Sequence, residues 1–478
     1  MTSALFKLPA NFAVTAARHS VAITILNDKT APDWLKKADA ATRHRAEQSG
    51  FTGKPGQVLV LYDEKGALAR VLAGVNAPVQ TFDLAPASDC LARALSEKVL
   101  KGTTFRLEGV KGDDATQACI GWGIAGYRFE DYKARKTEAL PRLVWPKEAD
   151  KASALAHIEA ALMIRTLINI PANDMGPAEL EKAVRAVARE EGLTVKVIKD
   201  KELVAQNFPM IWNVGKGSSR RPRLIDLKWG DPKHPKVTLV GKGVCFDTGG
   251  LDLKPGTAMH TMKKDLGGGA HVLALALLIV RHKLPVRLRV LIPAVENSIS
   301  GDSYRPSDVI KSRKGITVEV GDTDAEGRLI LSDALALASE EKPEFMVNFA
   351  TLTGGAAIGP EVPALFSNNE KLAFQLKDIS ARVNDDLWPL PLIQSYRKHM
   401  ASDIADICSI GNARGGTIHA ALFLETFVDP AIDWVHIDLF AWETGGRPGR
   451  SRGGTEMGLR ALYAYIEQRF GKKKKGGK

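Results

Sequence analysis

Four carboxylates in three glycine-rich runs have the types and spacing to do chemistry together. Asp247 ends the apolar part of Val240-Gly-Lys-Gly-Val-Cys-Phe-Asp-Thr-Gly-Gly-Leu-Asp-Leu-Lys254-Pro. Asp265 lies in Met262-Lys-Lys-Asp-Leu-Gly-Gly-Gly-Ala270. Asp324 and Glu326 lie in Gly321-Asp-Thr-Asp-Ala-Glu-Gly-Arg328-Leu. Four such charges in one partly desolvated crevice do not tolerate one another, because like charges raise each other's pKa until some neutralise. Two divalent cations would balance them. Oxygen ligands suit zinc, manganese or magnesium. Paired metals about 3.5–4 Å apart are a recurrent hydrolytic device that brings the pKa of a bound water towards ~7. The expectation is a two-metal hydrolase site. Any one acid alone would read as a cap or a surface charge; the convergence carries the argument.

The elements that must position these residues alternate. Short apolar runs rich in valine and isoleucine (Thr194–Ile198, Arg223–Trp229, Val237–Gly241, Val286–Pro293, Phe345–Ala350 and Trp434–Leu439) are separated by helical patterns. That rhythm predicts an α/β/α domain with a mostly parallel sheet covered on both faces. Lys242 and Asp247 leave one strand end, and Asp324, Glu326 and Arg328 follow a short strand over Ile316–Val320. Thr351-Leu352-Thr-Gly354 leaves another strand end. Ligands of open α/β sheets bind outside the carboxyl ends of strands, so these loops are expected to face one crevice.

Upstream, Val21–Leu26, Gln57–Tyr62 and Thr104–Glu108 read as strands, and Asp33–Gln48 and Cys90–Lys101 as helices. They make a smaller α/β domain with no motif of its own. Prolines 141 and 146 frame a linker candidate, and helical periodicity resumes from Lys151 to Ile168 and again from Ala178 to Glu191. The expected organisation is an N-terminal α/β domain over 1–145, a catalytic domain over 146–470 and a basic tail over 471–478.

Composition narrows the classes. With 478 residues, 45% hydrophobic and 25% charged, the chain reads as a soluble two-domain protein. The longest apolar run, Val272 to Val280, is less than half a membrane span, and no secretion signal follows Met1. Four cysteines without Cys-x-x-Cys spacing argue against a zinc ribbon or a disulfide scaffold and suit a reducing cytosol. Five of the eleven net positive charges sit in the tail from Lys472 to Lys478, which reads as a solvated terminus and does not by itself make a nucleic-acid binder. No His-Glu-x-x-His, Gly-x-Ser-x-Gly or Walker motif is present. Asp322-x-Asp324-x-Glu326-Gly327 with Asp333 nearly fits an EF-hand loop, but the segment before it alternates like a strand where an EF-hand needs an entering helix.

Taken together, these runs resemble the leucyl aminopeptidase family, the M17 metallopeptidases. The family signature Asn-Thr-Asp-Ala-Glu-Gly-Arg-Leu is matched at seven of eight positions by Asp322 to Leu329, its Gly-Lys-Gly…Leu-Lys-Pro run by Gly241 to Pro255, and its Met-Lys-x-Asp by Met262 to Asp265. Tyr304-Arg-Pro-x-Asp308, Ala350 to Gly354, and Ala405-Asp406…Gly415-Gly416-x-Ile418 fit in order, so the resemblance covers about residues 160 to 465. It implies a cytoplasmic aminopeptidase, a homohexamer acting on peptides with a free N-terminus. It implies that Lys242, Asp247, Asp265, Asp324 and Glu326 hold two zinc, manganese or magnesium ions, with Lys242 as a neutral amine. Lys254 would polarise the scissile carbonyl, and Arg328 would hold a bicarbonate ion as proton shuttle. Met262, Thr351, Leu352 and Gly354 would bind the first residue of the substrate, whose α-amine would also meet Asp265. No membrane partner is implied. The alternatives from other classes are a two-metal phosphoesterase and a non-catalytic nucleic-acid-binding relative.

Three departures stand out. Asp322 replaces the family's asparagine. The family's Asp-Ile-Ala-Gly-Thr-Ala-Trp is shortened to Asp438-Leu-Phe-Ala-Trp442, and Thr444–Gly454 is rich in glycine and arginine. The last two leave the preferred first residue open.

Overall fold

The computed structural model describes residues 10–134, 139–354 and 358–471; the lysine run of the tail lies outside the described residues. By packing, the chain divides into two units. Among the described residues, one comprises 10–162 with 444–452, the other 163–443 and 453–471. The helix Lys151–Asn169 runs from the first into the second, and the glycine- and arginine-rich segment Thr444–Arg452 packs with the first unit.

The first unit holds a six-stranded sheet. Its strands are β1 (Phe12–Ala13), β2 (His19–Leu26), β3 (Val58–Tyr62), β4 (Leu68–Gly74), β5 (Thr103–Glu108) and β6 (Arg142–Val144), in the order β1-β6-β5-β2-β4-β3. All neighbours are parallel except the β3–β4 hairpin. Its core gathers Val21, Ile23, Val71 and Phe105 around the buried Trp122 of the helix Gly112–Ala125. Both helices expected here are in fact broken. Asp33–Gln48 divides into Ala31–Lys37 and Ala40–Ser49, because Asp39 is extended and its carboxylate caps the amide of Thr42 at 2.7 Å. Cys90–Lys101 divides into Ala85–Ala94 and Glu97–Gly102, with Ser96 as the second cap.

The second unit is built on a nine-stranded sheet. Its strands are β7 (Thr194–Lys199), β8 (Arg223–Trp229), β9 (Lys236–Gly241), β10 (Gly243–Asp247), β11 (Arg287–Asn297), β14 (Phe345–Ala350), β15 (Ala364–Ser367), β16 (Trp388–Pro389) and β18 (Asp433–Asp438). Three short strands, β12 (Val309–Lys311), β13 (Thr317–Glu319) and β17 (Ile407–Cys408), form a separate small sheet. The main order is β16-β15-β18-β14-β9-β11-β8-β7, with β10 beside β11. The central run β18-β14-β9-β11 is parallel, and β7, β8 and β15 pair antiparallel towards the edges. The fold is therefore α/β with a mostly parallel sheet.

Alternation along the strands sends successive side chains to opposite faces. Val240, Leu291, Met346, Ala350 and Trp434 face a core shared with the helices Pro209–Gly215, Glu326–Glu340 and Gly416–Glu425. The intervening Phe349 stacks on His271 of the helix Gly267–Arg281, which covers the other face. That helix starts hard against the sheet: a Cβ on Gly268 would lie 2.1 Å from the Phe349 carbonyl oxygen, so only glycine fits. The consequence for function is positional. Parallel strands β9, β11, β14 and β18 all end at one edge, where Lys242, Asn297, Thr351 and Asp438 emerge.

Candidate metal centre

Each acid arrives on a different element. Asp247 closes β10, Asp265 rides the short 3-10 turn Met262–Leu266, Asp324 lies in the turn Thr323–Ala325, and Glu326 opens the helix that follows. One carboxylate oxygen from each of Asp247, Asp265 and Glu326 falls within 4.8 Å of the others, and all three residues are buried. Asp324 joins through Lys254.

Two lysines thread the acids. Lys242 Nζ lies 2.9 Å from Asp265 Oδ2 and 2.8 Å from Glu326 Oε1, and donates to the carbonyl of Thr351 at 2.8 Å. Lys254 Nζ lies 2.9 Å from Asp247 Oδ2 and also contacts Asp324 Oδ1. Burial alone would lower the pKa of either lysine. The surrounding charges overcome it: Asp265, Glu326 and Asp247 drive Lys242 well above its ordinary value, and Asp247, Asp324 and Glu326 do the same for Lys254. Facing the carboxylates with no dication beside them, both lysines are favoured as ammonium ions; a neutral Lys242 requires a bound cation to lower its pKa.

The acids respond the other way. Burial and the charge of Asp247 push Glu326 well above the usual carboxylate range and Asp324 up to about 6, with Lys254 opposing the latter. Beyond the ion pairs, neither oxygen of Glu326 accepts a hydrogen bond, and Asp265 Oδ2 and Asp324 Oδ1 accept none either. Buried carboxylate oxygens without donors are costly. Among the described residues, Glu326 Oε2 has neither a hydrogen bond nor an ion pair, and beside the lysine-paired oxygens of Asp265, Asp324 and Glu326 it completes a set of hard anionic ligands that fits a divalent cation.

Other oxygens are used for positioning. Asp247 Oδ1 accepts from the amide of Gly249 at 2.9 Å and from Asn297 Nδ2 at 2.8 Å. Thr351 Oγ1 donates to Asp265 Oδ1 at 2.7 Å. Thr323 ties the two acidic loops together. Its hydroxyl donates to Gly249 O at 2.6 Å and accepts from the amide of Asp252 at 2.8 Å, and its own amide donates to Asp252 Oδ2 at 2.7 Å. Asn297 Nδ2 and Tyr304 OH both donate to the Thr323 carbonyl, at 3.0 and 2.6 Å. Asp438 accepts from the amides of Leu352 and Thr353 and from the Thr353 hydroxyl, so it holds the start of the Thr351–Gly354 loop. Asn297, Thr323, Asp252 and Tyr304 went unnoticed as site residues in the sequence. Asn297 lies past Pro293, where the apolar run predicts the strand to end. Pro293 falls between the last β9 pairing at Leu291 and the first β10 pairing at Ala294, so β11 runs on to Asn297.

The remaining candidates are placed as follows. Arg328 is buried, donates through Nη1 to Ser409 O at 2.8 Å, and leaves Nε without a hydrogen bond; burial lowers its pKa while Glu326, Asp322 and Asp438 counteract that. Met262 and Leu352 are half-buried, Thr351 is buried and Gly354 is exposed. Asp322 uses its carboxylate to cap the amide of Asp324 at 2.7 Å. The EF-hand alternative fails on structure. Strand β13, not a helix, precedes the loop, and Asp333 turns away to accept from the amides of Met210, Ile211 and Arg313.

The catalytic-domain model of the cytosol aminopeptidase family matches residues 162–463, and the M17 aminopeptidase N-terminal domain model matches residues 21–146. A probable cytosol aminopeptidase of Syntrophotalea carbinolica is 38% identical over 95% of this chain and 98% of its own length. One of Gluconobacter oxydans is 34% identical over 98% and 99%. The crystal structure of the cytosol aminopeptidase from Coxiella burnetii superposes with a TM-score of 0.88 at 43% identity, covering 96% of this chain and 99% of that one. The bottromycin maturation enzyme BotP in complex with Mn superposes with a TM-score of 0.83 at 31% identity, covering 95% and 100%.

Proposed function

The chain belongs to the M17 cytosol aminopeptidase family, and from that premise we propose that it removes the N-terminal residue of peptides with the help of two divalent metal ions held by Lys242, Asp247, Asp265, Asp324 and Glu326. The observation that carries this reading is the buried cluster of Asp247, Asp265 and Glu326, each offering a carboxylate oxygen within 4.8 Å of the others. Zinc, manganese and magnesium all accept such ligands, and the manganese complex of BotP favours manganese among them. When bound, a metal pair lowers the pKa of water towards ~7 and polarises a carbonyl.

The protein's own groups do the rest. Lys254 offers an ammonium from a half-exposed loop, and once dications compensate Asp247 and Asp324 that charge is free to stabilise the oxyanion of the tetrahedral intermediate. Its loop is clamped by Thr323 and Asp252, which fixes where the ammonium points. Arg328 stays protonated and cannot act as a base. Its partnerless Nε–H is a donor for a small anion, and bicarbonate held there would carry the proton from water to the leaving amine. Asp265 would take the free α-amine of the substrate, and Met262, Thr351, Leu352 and Gly354 would take its side chain. A homohexamer in the cytoplasm completes the reading; light scattering on the purified protein tests the assembly.

The activity test is release of free amino acid from an aminoacyl-p-nitroanilide. Exhaustive chelation abolishes it, and zinc or manganese restores it. Full activity after demetallation, verified by elemental analysis, would refute the proposal.

A further inference from the structure

One buried charge has no part in that scheme. Lys264 stands between Met262 and Asp265 in the same 3-10 turn and is only 6% exposed. Its ammonium makes no hydrogen bond or ion pair among the described residues; what it meets is the face of the Phe440 ring, 4.6 Å from the centroid. The carboxylates that act on its charge, Asp265 and Asp438, spend their oxygens elsewhere. Asp265 is taken by Thr351 and Lys242, and Asp438 by Leu352 and Thr353. A cation out of water without an oxygen partner is costly.

Phe440 belongs to the shortened segment Asp438–Trp442, and the next residue, Ala441, is buried with φ +55°, a left-handed conformation that an alanine holds only under constraint. Ala441 and Thr351 also pack closely around Gly267. A Cβ on Gly267 would meet Ala441 Cβ at 2.8 Å and Thr351 Cγ2 at 3.2 Å. Lys264 over Phe440, Met262 in the same turn and Thr351 bonded to Asp265 Oδ1 bring these side chains together beside Asp265.

We infer that Lys264, backed by the Phe440 ring, is a specificity-determining residue that selects peptides whose first side chain ends in a carboxylate. This rests on the reading above, in which Met262 and Thr351 border the pocket for that side chain. The aliphatic stem of a glutamate or aspartate would pack on Met262 and Phe440, and its carboxylate would supply the oxygen that the ammonium lacks. A site built around a buried donor rejects substrates without the matching acceptor far more strongly than an apolar slot rejects a missing methylene. A lysine present only to offset the neighbouring acids would affect stability and metal affinity but would not discriminate between substrate side chains.

The test uses the full-length protein loaded with zinc or manganese, assayed on Glu-, Asp-, Gln- and Leu-p-nitroanilide, and reads the ratio of kcat/KM for Glu over Leu. The expected ratio exceeds one and falls by about tenfold or more in Lys264→Met, with part of it kept in Lys264→Arg. An unchanged ratio in a folded Lys264→Met protein overturns the inference. If that variant does not fold, product inhibition of the unaltered protein decides. Free glutamate inhibiting more tightly than leucine supports the inference, and the reverse order overturns it. Failure to release any amino acid with either metal would bring down the aminopeptidase reading itself, which separates the two failures.

Discussion

Replacing Gly327 by alanine is the sharpest perturbation the structure offers. A Cβ at this position would lie 2.6 Å from Cε, 2.7 Å from Nζ and 2.8 Å from Cδ of Lys242. Non-bonded carbons settle at about 3.5–4.0 Å, so the lysine must retreat by about 1 Å. The colliding atoms are the far end of a flexible side chain, so the lysine yields before the helix does. Overpacking costs about 1–3 kcal/mol, and alanine in a helix returns up to about 1 kcal/mol relative to glycine. The net loss is therefore about 0–3 kcal/mol, a shift of a few degrees in Tm. The effect on activity is larger. Lys242 is held at 2.9 and 2.8 Å from Asp265 and Glu326, and a misplacement of about 1 Å in a catalytic constellation costs on the order of 10²-fold. Gly327→Ala should lose about 100-fold in metal-dependent kcat/KM while melting within a few degrees of the parent. Wild-type kcat/KM in a folded variant would refute the claim that the position of Lys242 matters. A collapse in Tm without any loss per folded molecule would refute the claim that the side chain gives way first.

Two further outcomes follow from the hydrogen bonds and the burial. Thr323→Val removes the hydroxyl that serves Gly249 O and the Asp252 amide, leaving two backbone groups unpaired at about 1–3 kcal/mol each; kcat should fall more than KM rises, because the loop carrying Lys254 loosens, and equal changes in both would contradict this. His436 is fully buried, and burial, aided by the charge of Arg328, drops its pKa to about 3. The neutral ring is what the folded state keeps, so its contribution is whole above about pH 6.5 and is lost as pH falls towards 3. The difference of about 3.5 units amounts to about 5 kcal/mol. Melting curves from pH 7 down to pH 4 should fall more steeply for the parent than for His436→Gln, and parallel curves would count against it.

What the sequence disclosed and withheld follows from the range over which each feature is encoded. The acids Asp247, Asp265, Asp324 and Glu326 sit in contiguous runs at the ends of apolar segments, so both their chemistry and their neighbourhood are local. The parallel sheet was equally plain, since Val237–Gly241 and Phe345–Ala350 are buried on both faces and read as continuous apolar strands. The helix breaks at Asp39 and Ser96 were also local; each is a capping residue, and the periodicity on either side masked it. Thr323 and Asp252 are a different matter. They meet across 71 residues of chain, and nothing in either segment names the other. Asp438 likewise serves amides 86 and 85 residues away. Lys242 shows a third kind of limit: its state depends on the sum of the charges around it, which no motif records.

The two lysines of the centre have one more consequence. Each ammonium already stands between a pair of acids, Lys242 between Asp265 and Glu326 and Lys254 between Asp247 and Asp324. Half of the negative charge is thereby met by the polypeptide itself. Counted formally, four carboxylates and two ammonium groups leave two negative charges that no lysine of the centre meets.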